Sequence, residues 1–142
     1  LFNYQIIMIK YQIENNISPE EFKDLLIKST LGERRPVDDF KRIISMVENA
    51  NLIFTARVNN KLVGVARSIT DFVYCTYLSD IAVDTKYQKQ GIGKELIRLT
   101  KRETPKASLI LLAAPKAEGY YGHIGMTKHA ACFILNSEKD LD

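Results

Sequence analysis

Ser79-Asp80-Ile81-Ala82-Val83-Asp84-Thr85-Lys86-Tyr87-Gln88-Lys89-Gln90-Gly91-Ile92-Gly93 is the stretch on which the fold turns. Its first half is the end of an apolar run, 72–83, rich in aromatic residues, which reads as a central strand. A short loop follows, and Gln88 to Gly93 opens a helix over 91–103. Two glycines one residue apart let a ligand approach the backbone and permit φ > 0 where a side chain would clash. The start of a helix leaves amide groups unpaired and carries partial positive charge, which suits a phosphate. Lys89 and Lys94 add charge beside it. Residue chemistry alone therefore predicts a phosphate or pyrophosphate cradle between a strand end and a helix start.

The flanking segments supply the rest of the architecture. Ile92, Leu96 and Leu99 share a face of the helix, Lys101 and Arg102 suit its C-terminal end, and Thr104-Pro105 stops it. A short apolar run over 109–114 predicts a buried strand, 117–124 a short helix, and 126–135 one or two final strands. Toward the N-terminus, 9–14 alternates like a half-buried strand. Ser18-Pro19-Glu20-Glu21 opens a helix, with Ser18 as cap, Pro19 at the first position and Glu21 completing a capping box. Phe22, Leu25 and Leu26 form its stripe. The basic turn Glu33-Arg34-Arg35-Pro36 leads to a second helix with Asp38 and Asp39 at its start and Phe40, Ile43, Ile44 and Val47 as its stripe. Residues 52–58 and 62–68 flank Asn59-Asn60-Lys61, a hairpin signal. The order β-α-α-β-β-β-α-β-α-β predicts an α/β (α+β) domain with a mixed, partly parallel sheet.

Composition narrows the function classes. The chain has 142 residues, 46% hydrophobic and 26% charged, with formal net charge +3. That length suits a single domain spanning 1–142. The charge is mild and evenly spread, which argues against a nucleic-acid partner. No apolar run approaches the roughly 20 residues of a membrane span. No basic segment and small-residue cleavage site frame the first residues as a signal peptide. Residues 1–7 are expected to be upstream or misassigned sequence, with Met8 the more natural start. Cys75 and Cys132 sit in apolar runs without CxxC spacing, so they are expected to be buried free thiols in the cytoplasm, with no metal bound.

Spacing separates the families that use a phosphate cradle. A dinucleotide site needs a third glycine where this chain has Leu96. A P-loop needs a glycine at Gln88 and a Ser or Thr at Glu95. The pattern [Q/R]xxGx[G/A] is met in full by Gln88, Gly91 and Gly93, and the segment resembles the acetyl-CoA loop of the GNAT superfamily of N-acetyltransferases. A second block agrees. Ala117-Glu118-Gly119-Tyr120-Tyr121-Gly122-His123-Ile124-Gly125-Met126 looks like the family's A-x-x-[FY]-Y-x-x-x-G-[FM] segment. One departure stands out: the family often has Asn three residues before the matched alanine, where this chain has Ala114 followed by Pro115.

The resemblance implies a GNAT-like fold of about six to seven strands and about four helices. It implies two parallel strands, 77–83 and 109–114, that splay so the pantetheine arm of acetyl-CoA lies between them. Backbone groups around Ile81, Ala82 and Val83 would pair with that arm. Gln88, Lys89, Gln90, Gly91, Ile92, Gly93 and Lys94 would hold the pyrophosphate. Tyr121 would be the general acid. Asp80 or a water relay would take the proton of the attacking amine, with Tyr77, Ser79 and His123 as further candidates. The acceptor would be a small-molecule primary amine, with a protein lysine or N-terminus as runner-up. An acyl-CoA-binding module without turnover is the alternative class, and a homodimer stays open.

Overall fold

The computed structural model describes residues 7–142. The segment set apart at the N-terminus lies, up to residue 6, outside the described residues. The chain forms two compact units, one reaching Leu112 and the other running from Ala113 to Asp142.

The first unit is built on a five-stranded mixed sheet in the order β1-β2-β3-β4-β5. These strands are β1 (Lys10–Ile13), β2 (Leu52–Val58), β3 (Lys61–Thr70), β4 (Cys75–Val83) and β5 (Ser108–Ile110). The first four pair antiparallel, and β5 joins β4 in parallel. Between β2 and β3, Asn59 (φ 48°) and Asn60 (φ 68°) both occupy the left-handed region, as a two-residue type I′ hairpin turn requires. Lys61, read as part of the turn, is instead the first residue of β3, opposite Val58.

Three helices complete this unit: α1 (Pro19–Lys28), α2 (Phe40–Asn49) and α3 (Ile92–Glu103). Phe22, Leu25 and Leu26 of α1, with Ile43 and Val47 of α2, form one core with Ile53, Val65 and Ala82 of the sheet. On the other face α3 sits close, because Gly64 carries no side chain. A Cβ there would lie 3.0 Å from Ile92 Cγ2 and 3.1 Å from Leu96 Cδ1. Ser18 caps α1 as expected, its Oγ accepting from the Glu21 amide at 3.3 Å. The Glu21 carboxylate does not return to close a capping box. It receives the Arg57 guanidinium at 2.8 Å instead.

The sheet has five strands where about six to seven were expected. In the second unit, residues 126–135 form no strand, and Phe133 is 94% exposed. An apolar run makes a ladder only where a partner edge offers hydrogen bonds, and sequence pattern carries no information about that partner. The central strand also starts later than the run 72–83. Asp71 Oδ1 accepts from the amides of Val73, Tyr74 and Cys75, folding 71–74 into a tight turn with Phe72 at φ 67°. Cys75 and Cys132, expected buried, are both exposed and free. Among the described residues no helix is long and apolar enough to cross a membrane.

Candidate active site

The parallel pairing of β4 with β5 is brief. It joins Cys75 to Ser108, Thr76 to Leu109 and Tyr77 to Ile110, and then stops. From Leu78 to Val83, β4 has β3 on one side and, among the described residues, no strand on the other. Which backbone groups face the open side follows from alternation along a strand. The Asp84 amide donates to Val63 O of β3 at 2.8 Å, so Ala82 points its backbone the same way. Ile81 and Val83 then point theirs away from β3. Gln88 Nε2 confirms the direction, donating to Val83 O at 3.0 Å.

The loop after β4 turns sharply into α3. Asp84 caps a single 3-10 turn over Thr85–Tyr87, its Oδ1 accepting from the Lys86 amide at 3.0 Å. Lys89 adopts φ 64° and Gly91 φ 82°. Gly91 is the N-cap of α3, no side chain caps the helix, and a Cβ at Gly91 would meet nothing within 4 Å. The first amides of α3 are thus left for an outside acceptor. Gln88, Lys89, Gln90 and Lys94 are exposed and Gly93 is half-buried. Ile92 and Ala82 place their side chains in the core, so they offer only backbone to a ligand.

Asp80 has quite different surroundings. It is fully buried, and its two carboxylate oxygens take the Nε groups of Arg35 and Arg67. Arg67 also donates from Nη1 to Met46 O and from Nη2 to Ser79 Oγ, each at 3.0 Å. Arg35 donates from Nη2 to Ser79 O at 2.8 Å. A carboxylate whose two oxygens are both taken by guanidiniums, and whose side chain is wholly buried, has no free oxygen to turn toward a substrate. Its geometry is that of an anchor for two arginines. Arg67 stands opposite Asp80 in the β3–β4 register, whereas Arg35 comes from a turn 45 positions away that no local pattern of the sequence ties to β4.

In the second unit, α4 (Glu118–His123) carries the two tyrosines. Their rings meet edge to face, 5.4 Å apart and 67° between planes. Tyr120 is the exposed member and Tyr121 the half-buried one. Burial, with Tyr120 adding to it, raises the Tyr121 phenol above its ordinary value of 10.0. The hydroxyl therefore keeps its proton throughout the neutral range. His123 and His129 are exposed.

The model of the acetyltransferase (GNAT) domain matches residues 14–135, most of the chain. The chain belongs to the GNAT acetyltransferase family. Solved GNAT structures share its fold. A GNAT-family acetyltransferase from Streptococcus pneumoniae TIGR4 is 19% identical, with TM-score 0.74, over 92% of this chain and 100% of that one. An aminoglycoside N-acetyltransferase solved with CoA is 14% identical, with TM-score 0.73, over 97% and 99%. A ribosomal-protein-alanine N-acetyltransferase from Brucella melitensis biovar Abortus 2308 is 16% identical, with TM-score 0.70, over 92% and 99%. No curated protein sequence matches. These GNAT neighbours have unlike acceptors, so the shared fold leaves the acceptor to be argued from the site.

Proposed function

We propose that this GNAT enzyme moves an acetyl group from acetyl-CoA to the primary amine of a small molecule, by direct attack with both substrates bound. One observation carries the reading: β4 loses its β5 neighbour after Tyr77, while Ile81 and Val83 turn their backbone toward the vacated side. An extended chain with amide groups, such as a pantetheine arm, fits that edge as an added strand would. The empty Cβ position at Gly91 and the uncapped start of α3 fit a pyrophosphate.

Bound acetyl-CoA supplies an activated acetyl thioester. Ile81 and Val83 orient it through their backbone groups, and the Ile81 amide faces the side on which negative charge builds. Amides from Lys89 to Lys94 hold the diphosphate, with Lys89 and Lys94 adding charge. Tyr121, matched by the aromatic block of α4 and keeping its proton at neutral pH, protonates the departing sulfur. Asp80 anchors arginines in this reading, so water takes the proton from the attacking ammonium. The exposed free thiols fit a reducing compartment, taken here to be the cytoplasm.

The test is a panel of amines with acetyl-CoA, read by release of free thiol. Turnover on a small amine is expected. Tyr121→Phe should lower kcat by about 10²-fold or more while leaving CoA affinity near wild type. Binding of acetyl-CoA with no turnover on any amine or peptide would replace this reading with a binding module. Turnover on peptides alone would move the acceptor to protein.

A further inference from the structure

Two facts about β4 meet at Ser79. Across the β3–β4 ladder Arg67 faces Asp80 and Ser68 faces Leu78, so Ser79 is an extra residue, a β-bulge. The same residue divides β4 in function. It lies two residues past Tyr77, where the pairing with β5 ends, and at the start of the stretch whose far side is open. An extra residue in a strand loses its place in the ladder, and its polar groups need other partners. Here two arginines provide them. Arg35 Nη2 donates to the Ser79 carbonyl and Arg67 Nη2 to the Ser79 hydroxyl, while Asp80 fixes both guanidiniums.

The two arginines differ in origin. Arg67 belongs to β3 and is held further by Met46 O of α2. Arg35 comes from the connection between α1 and α2, is 22% exposed, and is the group that ties this connection to the bulge. Leu111 and Leu112 continue the chain past Ile110 without pairing to β4. Straightening the bulge would let the parallel ladder run on: at the register of Tyr77 with Ile110, Leu111 and Leu112 fall opposite Leu78 and Ser79, and the next residues, Ala113 and Ala114, fall opposite Asp80 and Ile81.

We propose that Arg35 is a positioning residue: its fork on Asp80 and the Ser79 carbonyl maintains the bulge, and the bulge keeps the Ile81–Val83 edge free for the thioester arm. The role in catalysis rests on the acetyl-CoA reading above. The effect on the strand edge does not. Arg35 touches no reacting atom and works through Ser79 and Asp80.

The experiment measures hydrogen exchange of individual amides in the full chain, for wild type, Arg35→Lys and Arg35→Gln. In wild type, Ile81 and Val83 amides should exchange fast and Ala82 slowly. In Arg35→Gln, Ile81 or Val83 should gain protection of at least about tenfold as the edge closes. Its KM for acetyl-CoA should rise at least about tenfold, with the KM of the amine unchanged. Lysine keeps the charge on Asp80 but lacks the fork, so it should fall between the two. Exchange unchanged at Ile81 and Val83 in folded Arg35→Gln overturns the proposal, whatever happens to activity. So does a loss of kcat/KM shared equally by both substrates. If Arg35→Gln does not fold, Arg35→Lys decides by the same exchange criterion. Because exchange is read without substrate, a protein that acetylates nothing still tests the bulge.

Discussion

Two arginine clusters sit on the sheet in the first unit, and they are built on opposite plans. Arg57 of β2 gathers two carboxylates: Glu14 at 2.9 Å and Glu21 of α1 at 2.8 Å, with Asn60 O at 2.9 Å. Asp80 of β4 gathers two guanidiniums. The first cluster is partly open to water, since the Glu21 side chain is 43% exposed, and although Val63 of β3 is an extra residue beside it, Arg57 makes no hydrogen bond to that residue. The second has its anion wholly buried and wraps the one extra residue in β4. Ion pairs of the first kind add modest stability, because water already solvates much of the charge. A buried pair adds little over an apolar alternative, yet leaves a large penalty when one member is removed. A cluster retained on such terms at a bulge points to shape rather than stability.

That contrast breaks most visibly at Asp80. Asp80→Asn keeps the volume but removes the charge that two guanidiniums share. The expected loss is about 3–5 kcal/mol of unfolding free energy, the usual range for orphaning a buried ion-pair partner. Chemical denaturation measures it. A loss under about 1 kcal/mol would mean that water reaches the cluster and that Asp80 is no anchor. Because Arg67 is only 7% exposed, relief by solvent is not expected.

At Arg57 the effect should be smaller and purely structural. Arg57→Met keeps the aliphatic stem and loses the hydrogen bonds to Glu14, Glu21 and Asn60. About 1.5–3 kcal/mol should go, as for hydrogen bonds to charged groups. Kinetic constants measured below the melting range should not move. A raised KM for acetyl-CoA in this variant would erase the distinction between the clusters, because Arg57 makes no contact with the bulge at Ser79.

The same contrast explains what the sequence disclosed. Features governed by neighbours in the chain were legible: the Ser18 cap, the Asn59-Asn60 turn, the strand-loop-helix from Ser79 to Gly93, and the helix stripes. Each is fixed by backbone preference or period within a few residues. What needed a distant partner was not. Glu21 fits a capping box, and only the fold brings Arg57 within its reach. Arg35 reads as a solvated turn residue until β4 is laid beside it. The bulge at Ser79 leaves no mark on the alternation of β4, so the end of the β4–β5 pairing could be expected from the family pattern but not from the residues. The run 126–135 carries strand-like composition, and no ladder forms there.

The smallest effect separates the clusters by pH. Burial pushes the Glu14 carboxyl up, but hydrogen bonds from Arg57 and Thr55 outweigh it, and the net position is below the ordinary 4.5. A carboxylate lowered on folding adds stability that is present in full above its unfolded value. That stability disappears as pH falls through the folded value. Wild type should therefore exceed Glu14→Gln by about 0.5–1 kcal/mol at pH 7. The gap should shrink steadily below pH 4.5, where Glu14 takes up its proton. Urea midpoints for the two proteins across that range measure it. A gap that stays constant into acid would show that the Glu14 charge contributes nothing, leaving packing, the hydrogen bond to Thr55 and the Glu14 amide's bond to Ile53 O to hold this position.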